Sequence, residues 1–61
     1  MLVTDILEML PNSQRVIIYC GCSVLRGHVI GISLVMETVG LIDKTAYFMK
    51  TEKDELVIWA E

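Results

Sequence analysis

The stretch GISLVMETVGLID, residues 31–43, decides the fold of this chain. Its apolar residues recur at the three- and four-residue spacing of one helix face, with Ser33 as a candidate N-cap: Ile32, Val35, Met36, Val39 and Ile42. Residues 38–42 are also rich in β-branched side chains and could form a strand instead. A helix predicts the element order α-β-β-α-β-β, whereas strands predict one helix followed by five strands. We favour the helix.

The residues that open the chain predict a short N-terminal helix. Its apolar positions share one face: Val3, Ile6, Leu7 and Leu10. Thr4 is a candidate N-cap, and Asp5 and Glu8 lie near the positive end of the helix dipole. Pro11 cannot continue the helix, so we expect it to end before that residue.

Two hairpins account for most of the remaining chain. Residues 16–20, VIIYC, form the clearest strand and are apolar on both faces. Gly21 is suited to a tight turn that leads into a second strand over residues 24–29. The second hairpin pairs residues 45–51 with residues 55–60 through the polar stretch Glu52-Lys53-Asp54.

These elements predict one small α+β domain over residues 1–61. An antiparallel sheet of about four strands would pack against the N-terminal helix and a short second helix. The alternative is a helix followed by a five-stranded barrel.

The chain carries more apolar residues than a domain of its size can bury. Hydrophobic residues make up 54% of the sequence, and the apolar fraction counted with glycine is about 57% against a usual 45–50%. A domain of about 60 residues buries only roughly 60% of the surface of its unfolded chain. We therefore predict a homo-oligomer. The strands apolar on both faces supply the candidate interface: Ile17, Tyr19, Val57 and Trp59.

The charge pattern argues against bulk attraction to nucleic acid, because the net charge is −3 and no basic run is present. An oligomer could still gather a local ligand-binding rim, and its candidate residues are Arg15, Arg26, Lys44 and Tyr47. Three aromatic residues, Tyr47, Phe48 and Trp59, could stack on bases or nucleotides. We favour a subunit interface for these rings because the chain is acidic.

The cysteine content favours a reducing cytoplasm. Cys20 and Cys22 are too close in sequence for a structural disulfide. We also predict no signal peptide and no membrane anchor, because the N-terminal residues lack a positive segment and charges interrupt every apolar stretch.

The sequence predicts no enzyme, no cofactor and no metal site. Cys20, Cys22 and His28 supply fewer ligands than a closed zinc site needs. Cys22 and His28 could meet across one hairpin, yet no oxyanion-hole element accompanies them. The acidic residues of the turns are interpreted as solvated charges: Asp43, Glu52, Asp54 and Glu55.

Several short segments resemble those of short proteins encoded by phages and mobile elements of Gram-positive bacteria. They are VTDILEMLP at residues 3–11, VIIY at 16–19, GHV at 27–29 and LVI at 56–58. The resemblance implies a protein that acts by binding, as anti-CRISPR proteins and other inhibitors of host defence do. The resemblance identifies no functional residue in this sequence.

A second resemblance is to Sm-like RNA-binding rings, which also have a short helix followed by five strands, with Gly21 and Gly27 in the first bent hairpin. The Asp and Asn pair of their base-binding loop is absent around residues 33–37, and Ile58-Trp59 replaces their closing Arg-Gly motif. This resemblance therefore does not imply RNA binding in that manner.

Our leading hypothesis is a non-catalytic homo-oligomer that binds and inhibits a host or defence protein in the host cytoplasm. The alternative is a small oligomeric module that binds nucleic acid or a nucleotide.

Overall fold

The computed structural model describes all 61 residues and contains two helices and four strands. Their order is α-β-β-α-β-β, so the helical interpretation of the decisive stretch is confirmed and the five-stranded barrel is wrong. The predicted α+β class is confirmed as well. The elements are α1 (Val3–Glu8), β1 (Arg15–Cys20), β2 (Ser23–His28), α2 (Val29–Val39), β3 (Ala46–Glu52) and β4 (Glu55–Ala60).

The four strands form one open sheet in the order β2-β1-β4-β3. β1 pairs antiparallel with β2, and β4 pairs antiparallel with β3, but the two central strands β1 and β4 run parallel. The sheet is therefore mixed, whereas the sequence predicted an antiparallel one. β1 and β4 suit the centre because both are apolar on two faces. Helix α2 connects the two edge strands.

The core lies between the two helices and one face of the sheet. Strands β1 and β4 contribute alternate residues, because successive side chains of a strand point to opposite faces. The core residues are Val16, Ile18, Cys20, Ile58 and Ala60 from the sheet, and Val3, Ile6, Leu7, Val29, Ile32 and Met36 from the helices. Ile18 and Ile58 are paired neighbours on the central strands and are fully buried at the middle of this core.

Helix α1 begins two residues earlier than a cap at Thr4 would place it. Leu2 is its N-cap and makes no side-chain cap bond, so the prediction of Thr4 as the cap is wrong. Thr4 lies in the first turn, where its hydroxyl donates a hydrogen bond to the carbonyl of Ile42 at 3.4 Å. The amide of Val3 donates to the carbonyl of Lys44 at 3.0 Å. A helix this short needs such tertiary contacts, because it is marginal in isolation.

Helix α2 follows β2 without a loop. His28 is its N-cap, so the prediction of Ser33 as the cap is wrong and Ser33 lies inside the helix. Val29, which the sequence assigned to the end of a strand, is the first helical residue and is buried. Gly40 ends the helix with a left-handed φ of 76°, a conformation that glycine adopts at little cost.

Both hairpins close through two-residue turns. Gly21-Cys22 joins β1 to β2 as predicted, and the φ of Gly21 is 59°. Lys53-Asp54 joins β3 to β4, and the φ of Lys53 is 57°, which is strained for a residue with a side chain. The side-chain amide of Gln14 donates to the carbonyl of Asp54 at 2.8 Å. This bond ties the start of β1 to the second turn.

Candidate binding surfaces

One face of the sheet points away from both helices, and we call it the outer sheet face. Strand register arranges its residues in three rows, each running across β2, β1, β4 and β3. The aromatic row is Val24, Tyr19, Trp59 and Phe48; the middle row is Arg26, Ile17, Val57 and Lys50; the charged row is His28, Arg15, Glu55 and Glu52. The middle and charged rows border a shallow depression of about 340 Å³ that Trp59 and Tyr19 also line.

The aromatic row holds three rings in mutual contact. Tyr19 stacks on Trp59 with ring centroids 5.4 Å apart and planes 20° apart. Phe48 contacts the other side of the cluster, with its centroid 5.2 Å from that of Trp59 and a tilt of 51°. Tyr19 and Trp59 are half-buried, whereas Phe48 is 55% exposed. The row therefore presents aromatic surface to solvent.

The middle row places two cations on either side of two aliphatic residues. Ile17 is 6% exposed and Val57 is 5% exposed, so neighbouring side chains of the same face already cover them. The ammonium of Lys50 lies 5.8 Å from the ring centroid of Trp59, within cation–π range. Arg26, at the opposite end of the row, is not part of either ion pair of the structure.

The charged row carries like charges on adjacent strands, because Glu52 lies directly opposite Glu55. Each carboxylate has a cation beside it. Arg15 lies 3.8 Å from Glu55, and Lys50 lies 3.4 Å from Glu52. These pairs are solvent-exposed and each contributes little to stability, but they offset the repulsion between the two glutamates.

All four predicted interface residues lie on the outer sheet face, where two adjacent rows bring them together. Their role in subunit contact stays a prediction. Ile17 and Val57 have little surface left to bury, so any contact here would rest on Tyr19, Trp59 and Phe48. Sequence alternation along the two central strands was the signal that found these residues.

The predicted ligand-binding residues divide into two groups. Arg15 and Arg26 lie on the outer sheet face. Lys44 lies in the loop before β3, where its carbonyl accepts the amide of Val3. Tyr47 lies at a β-bulge in β3, has no cross-strand partner and forms no ring pair with the aromatic row. The third ring of the cluster is Tyr19, which the sequence did not group with Phe48.

The outer sheet face gathers most of the positive charge of the chain. Four of the five lysine and arginine residues lie on it or on the adjoining turn, together with three of the eight acidic residues. The cations are Arg15, Arg26, Lys50 and Lys53, and the acids are Glu52, Asp54 and Glu55. The chain is acidic as a whole, yet this face and its adjoining turn carry one more positive than negative charge. The net charge of the chain does not show this uneven placement of its cations.

Helix α2 presents a second apolar surface. Its core side carries Val29, Ile32 and Met36, while Ile30, Leu34 and Val35 are exposed on the other side. Leu34 is 63% exposed, and Glu37 is the only charged residue of the helix. We call residues 30, 31, 34, 35 and 38 the outer α2 face. Sequence periodicity missed it because Val35 was grouped with Ile32 and Met36.

Two further residues of the outer α2 face suit a close contact, because Gly31 has no side chain and Thr38 has no free polar group. A Cβ added at Gly31 would meet no atom within 4 Å, and its backbone does not need positive φ. The hydroxyl of Thr38 donates to the carbonyl of Leu34 at 2.9 Å and is thereby satisfied within the helix. Gly31 is the third residue of α2, where glycine costs up to about 1 kcal/mol relative to alanine. Nothing within this chain explains that cost.

The cysteine and histidine side chains lie far apart. Cys20 is buried and Cys22 is exposed in the first turn, whereas His28 lies at the opposite end of β2 beside Arg15. The length of β2, about 17 Å at 3.4 Å per residue, separates the turn from His28. The suggestion that Cys22 and His28 meet across the hairpin is therefore wrong. No three His, Cys, Asp or Glu side chains are grouped as metal ligands.

The acidic turn residues also fall at two ends of the sheet. Asp43 lies in the loop before β3, and Asp54 lies in the turn after that strand, next to Glu52 and Glu55. All are exposed or half-buried. Their placement fits solvated charges better than a joint site.

The longest helix, α2, has 11 residues, and neither helix has the length and apolar content needed to cross a lipid bilayer. The outer sheet face and the outer α2 face are thus the two surfaces from which a function can be argued. No family model, curated protein or solved structure matches the chain.

Proposed function

We propose that this protein is a non-catalytic interaction protein that works as a homo-oligomer, with copies joined through the outer α2 face. The observation that carries the proposal is the apolar character of α2 on both sides. Apolar side chains on two opposite sides of a helix are expected to be covered on both, and here the chain itself covers only one; the exposed polar residues Ser33 and Glu37 share a different side. A second copy would cover the other apolar side.

The geometry of the outer α2 face suits helix-to-helix packing. Ile30 and Leu34 are one turn apart and form a ridge, and Val35 lies beside them. Gly31 lets a facing helix approach closely, because no side chain intervenes. A two-fold axis across α2 would set each ridge against the partner's glycine, as expected for a self-complementary contact.

The available area predicts a reversible dimer. Complete burial of an aliphatic side chain is worth about 1.5–3 kcal/mol, so a half-exposed one has about 1 kcal/mol left to gain. Ile30, Leu34 and Val35 from two protomers would thus supply about 6 kcal/mol. Val39 and Ile42 are also exposed and could extend the contact. Association costs at least about 4 kcal/mol, so the roughly 10 kcal/mol from all five side chains would leave a dissociation constant of about 40 µM or weaker.

Sedimentation velocity from about 1 µM to about 1 mM tests this proposal. We expect the wild-type protein to shift from monomer to dimer, and Leu34→Lys to stay monomeric because it places a charge in the contact. Val24→Lys is the matched control, since Val24 is 57% exposed and lies on the outer sheet face. It should dimerise as the wild type does.

Two outcomes would contradict the proposal. If the wild-type protein stays monomeric over the whole concentration range, the proposed self-association is wrong. Loss of the dimer in Val24→Lys but not in Leu34→Lys would move the contact to the outer sheet face, where the sequence placed it. Circular dichroism of each variant confirms that it is folded.

We also propose a host or defence protein as the partner of the oligomer, in the cytoplasm of the host cell. The support for this partner is the resemblance to short phage and mobile-element proteins. Expression of the chain in a bacterium with an active CRISPR or restriction system should raise the plating efficiency of a targeted phage. An unchanged efficiency across several such systems would argue against this class of partner.

The proposal contains no catalytic step. The groups that a nucleophilic mechanism would combine, Cys22 and His28, lie at opposite ends of β2. The open depression on the sheet is bordered by ion-paired side chains and does not enclose a substrate.

A further inference from the structure

The outer sheet face combines two features that a subunit contact does not require. It exposes a contiguous cluster of Tyr19, Trp59 and Phe48, and it collects four cations in an acidic chain. Aromatic surface attracts flat rings, and the excess of positive charge attracts anions. A ligand that satisfies both must carry aromatic groups and negative charges along its length.

We propose that the outer sheet face binds single-stranded nucleic acid. Unpaired bases would stack on the aromatic row, and phosphates would lie along the middle row beside Arg26 and Lys50. Base stacking on aromatic side chains combined with a cationic track is the general chemistry of binding to single strands. This site lies on the side of the sheet opposite to the helices, so it is separate from the outer α2 face.

The spacing of the cations fits a strand that crosses the sheet. Arg26 lies on one edge strand and Lys50 on the other, three strand spacings or about 14 Å apart. The ammonium of Lys50 is also 5.8 Å from the centroid of the Trp59 ring, so Lys50 lies between the aromatic row and the proposed path of the phosphates. Arg26 is free to bind a phosphate because it belongs to neither ion pair.

Charge complementarity favours a single strand over the other occupants. A second copy seated on this face would bring its own four cations, offset by only three acids, toward Arg26, Lys50 and Lys53. An acidic peptide would match the charge but leave the three rings without flat partners. A duplex would match the charge as well, but its bases are stacked and paired, and the flat sheet offers nothing that enters a groove.

The structure predicts weak binding that depends on salt. About three phosphate contacts would give a slope of log affinity against log salt of roughly −2, because each contact to a single strand contributes about −0.7. Low ionic strength is therefore the condition in which binding should be measured. The acidic remainder of the chain repels the strand elsewhere and confines it to this face.

The experiment uses the intrinsic fluorescence of Trp59, which is the single tryptophan of the chain and lies in the site. Oligothymidylate titrated into the 61-residue chain at low salt should quench this fluorescence in a saturable manner. Phe48→Ala should weaken binding about tenfold through loss of one stacking surface. Phe48→Leu keeps apolar volume without the ring and should weaken it similarly, which separates stacking from folding.

Charge variants supply the matched control. Arg26→Gln should weaken binding and bring the salt slope closer to zero by about 0.7. Lys44→Gln removes the same charge from the one cation that lies away from the outer sheet face, and it should leave binding unchanged. Leu34→Lys, which targets the α2 contact, should also retain binding. Failure of self-association and failure of strand binding are therefore distinguishable.

Several results would overturn the inference. One is the absence of saturable quenching at low salt. Another is equal affinity for an abasic oligomer, an acidic peptide of the same charge or a duplex of the same length, since each lacks accessible bases. If Lys44→Gln and Arg26→Gln weaken oligonucleotide binding equally, binding depends on the overall charge of the chain and not on a site at the outer sheet face. Trp59 quenching that rises with protein concentration in the absence of oligonucleotide would show that a second copy of the chain covers this face.

Discussion

Gly31→Ala is the most informative single substitution, because the isolated protomer and the proposed dimer predict opposite effects. In the protomer the added methyl meets no atom within 4 Å, and the backbone does not require glycine. Alanine is preferred in a helix interior by about 0.5–1 kcal/mol, chiefly because it lowers the entropy of the unfolded chain. The substitution should therefore stabilise the monomer.

In the dimer the same methyl lies where a facing helix would approach most closely. Overpacking of a close contact costs about 1–3 kcal/mol, which corresponds to a rise of about fivefold or more in the dissociation constant. The predicted signature is a more stable monomer that associates less well. No role of Gly31 confined to its own chain gives both effects.

Two measurements separate the effects. Thermal unfolding in the monomeric Leu34→Lys background should show Tm raised by about 3–6 °C, because 1 kcal/mol shifts a domain of this size by about 4–8 °C. Sedimentation of Gly31→Ala in the otherwise wild-type chain should show weaker dimerisation. A lower Tm in the monomeric background would refute the reasoning, since it would reveal an intrachain need for glycine. Unchanged dimerisation would exclude a close α2 contact at this residue.

Three further predictions concern the stability of the fold. Lys53→Gly should raise the free energy of unfolding by about 0.5–1 kcal/mol in urea titrations because it relieves a left-handed φ, and a loss of stability would show that the turn is not strained. Ile58→Ala should cost about 2–5 kcal/mol, whereas Ile30→Ala in the monomeric background should cost under about 1 kcal/mol; similar values would contradict the assigned core. Gln14→Ala should cost about 1–2 kcal/mol through two lost side-chain hydrogen bonds, and amide exchange should accelerate in the second turn; unchanged exchange there would show that the tie to Asp54 is not formed in solution.

Local patterns in the sequence predicted the elements well where spacing and turn chemistry agreed. Residues 16–20 form a central strand, Gly21 closes the first hairpin, and helical spacing identified α2. The helix boundaries were less accurate. Thr4 and Ser33 looked like caps by residue type, but Leu2 and His28 hold those positions because the adjoining backbone is fixed by tertiary hydrogen bonds.

For the candidate sites as well, local sequence patterns predicted some features and tertiary contacts decided others. Alternation along β1 and β4 was enough to group Ile17, Tyr19, Val57 and Trp59 on one face. It could not show that Ile17 and Val57 are covered by their neighbours, because that depends on side chains from β2 and β3. Nor could periodicity find the outer α2 face, since apolar residues lie on two sides of this helix and the polar side formed by Ser33 and Glu37 does not show which of the two is buried.

By itself, the sequence determined the α+β class, the two hairpins and the apolar excess, because these follow from propensity, turn residues and composition. Only the tertiary structure decided the parallel pairing of β1 with β4, which joins residues about 40 positions apart and has no local signature. That pairing brings Tyr19 against Trp59 and, through β2 and β3, sets Arg26 and Lys50 at the two edges of one face. An acidic chain thereby gathers four of its five cations around one aromatic surface.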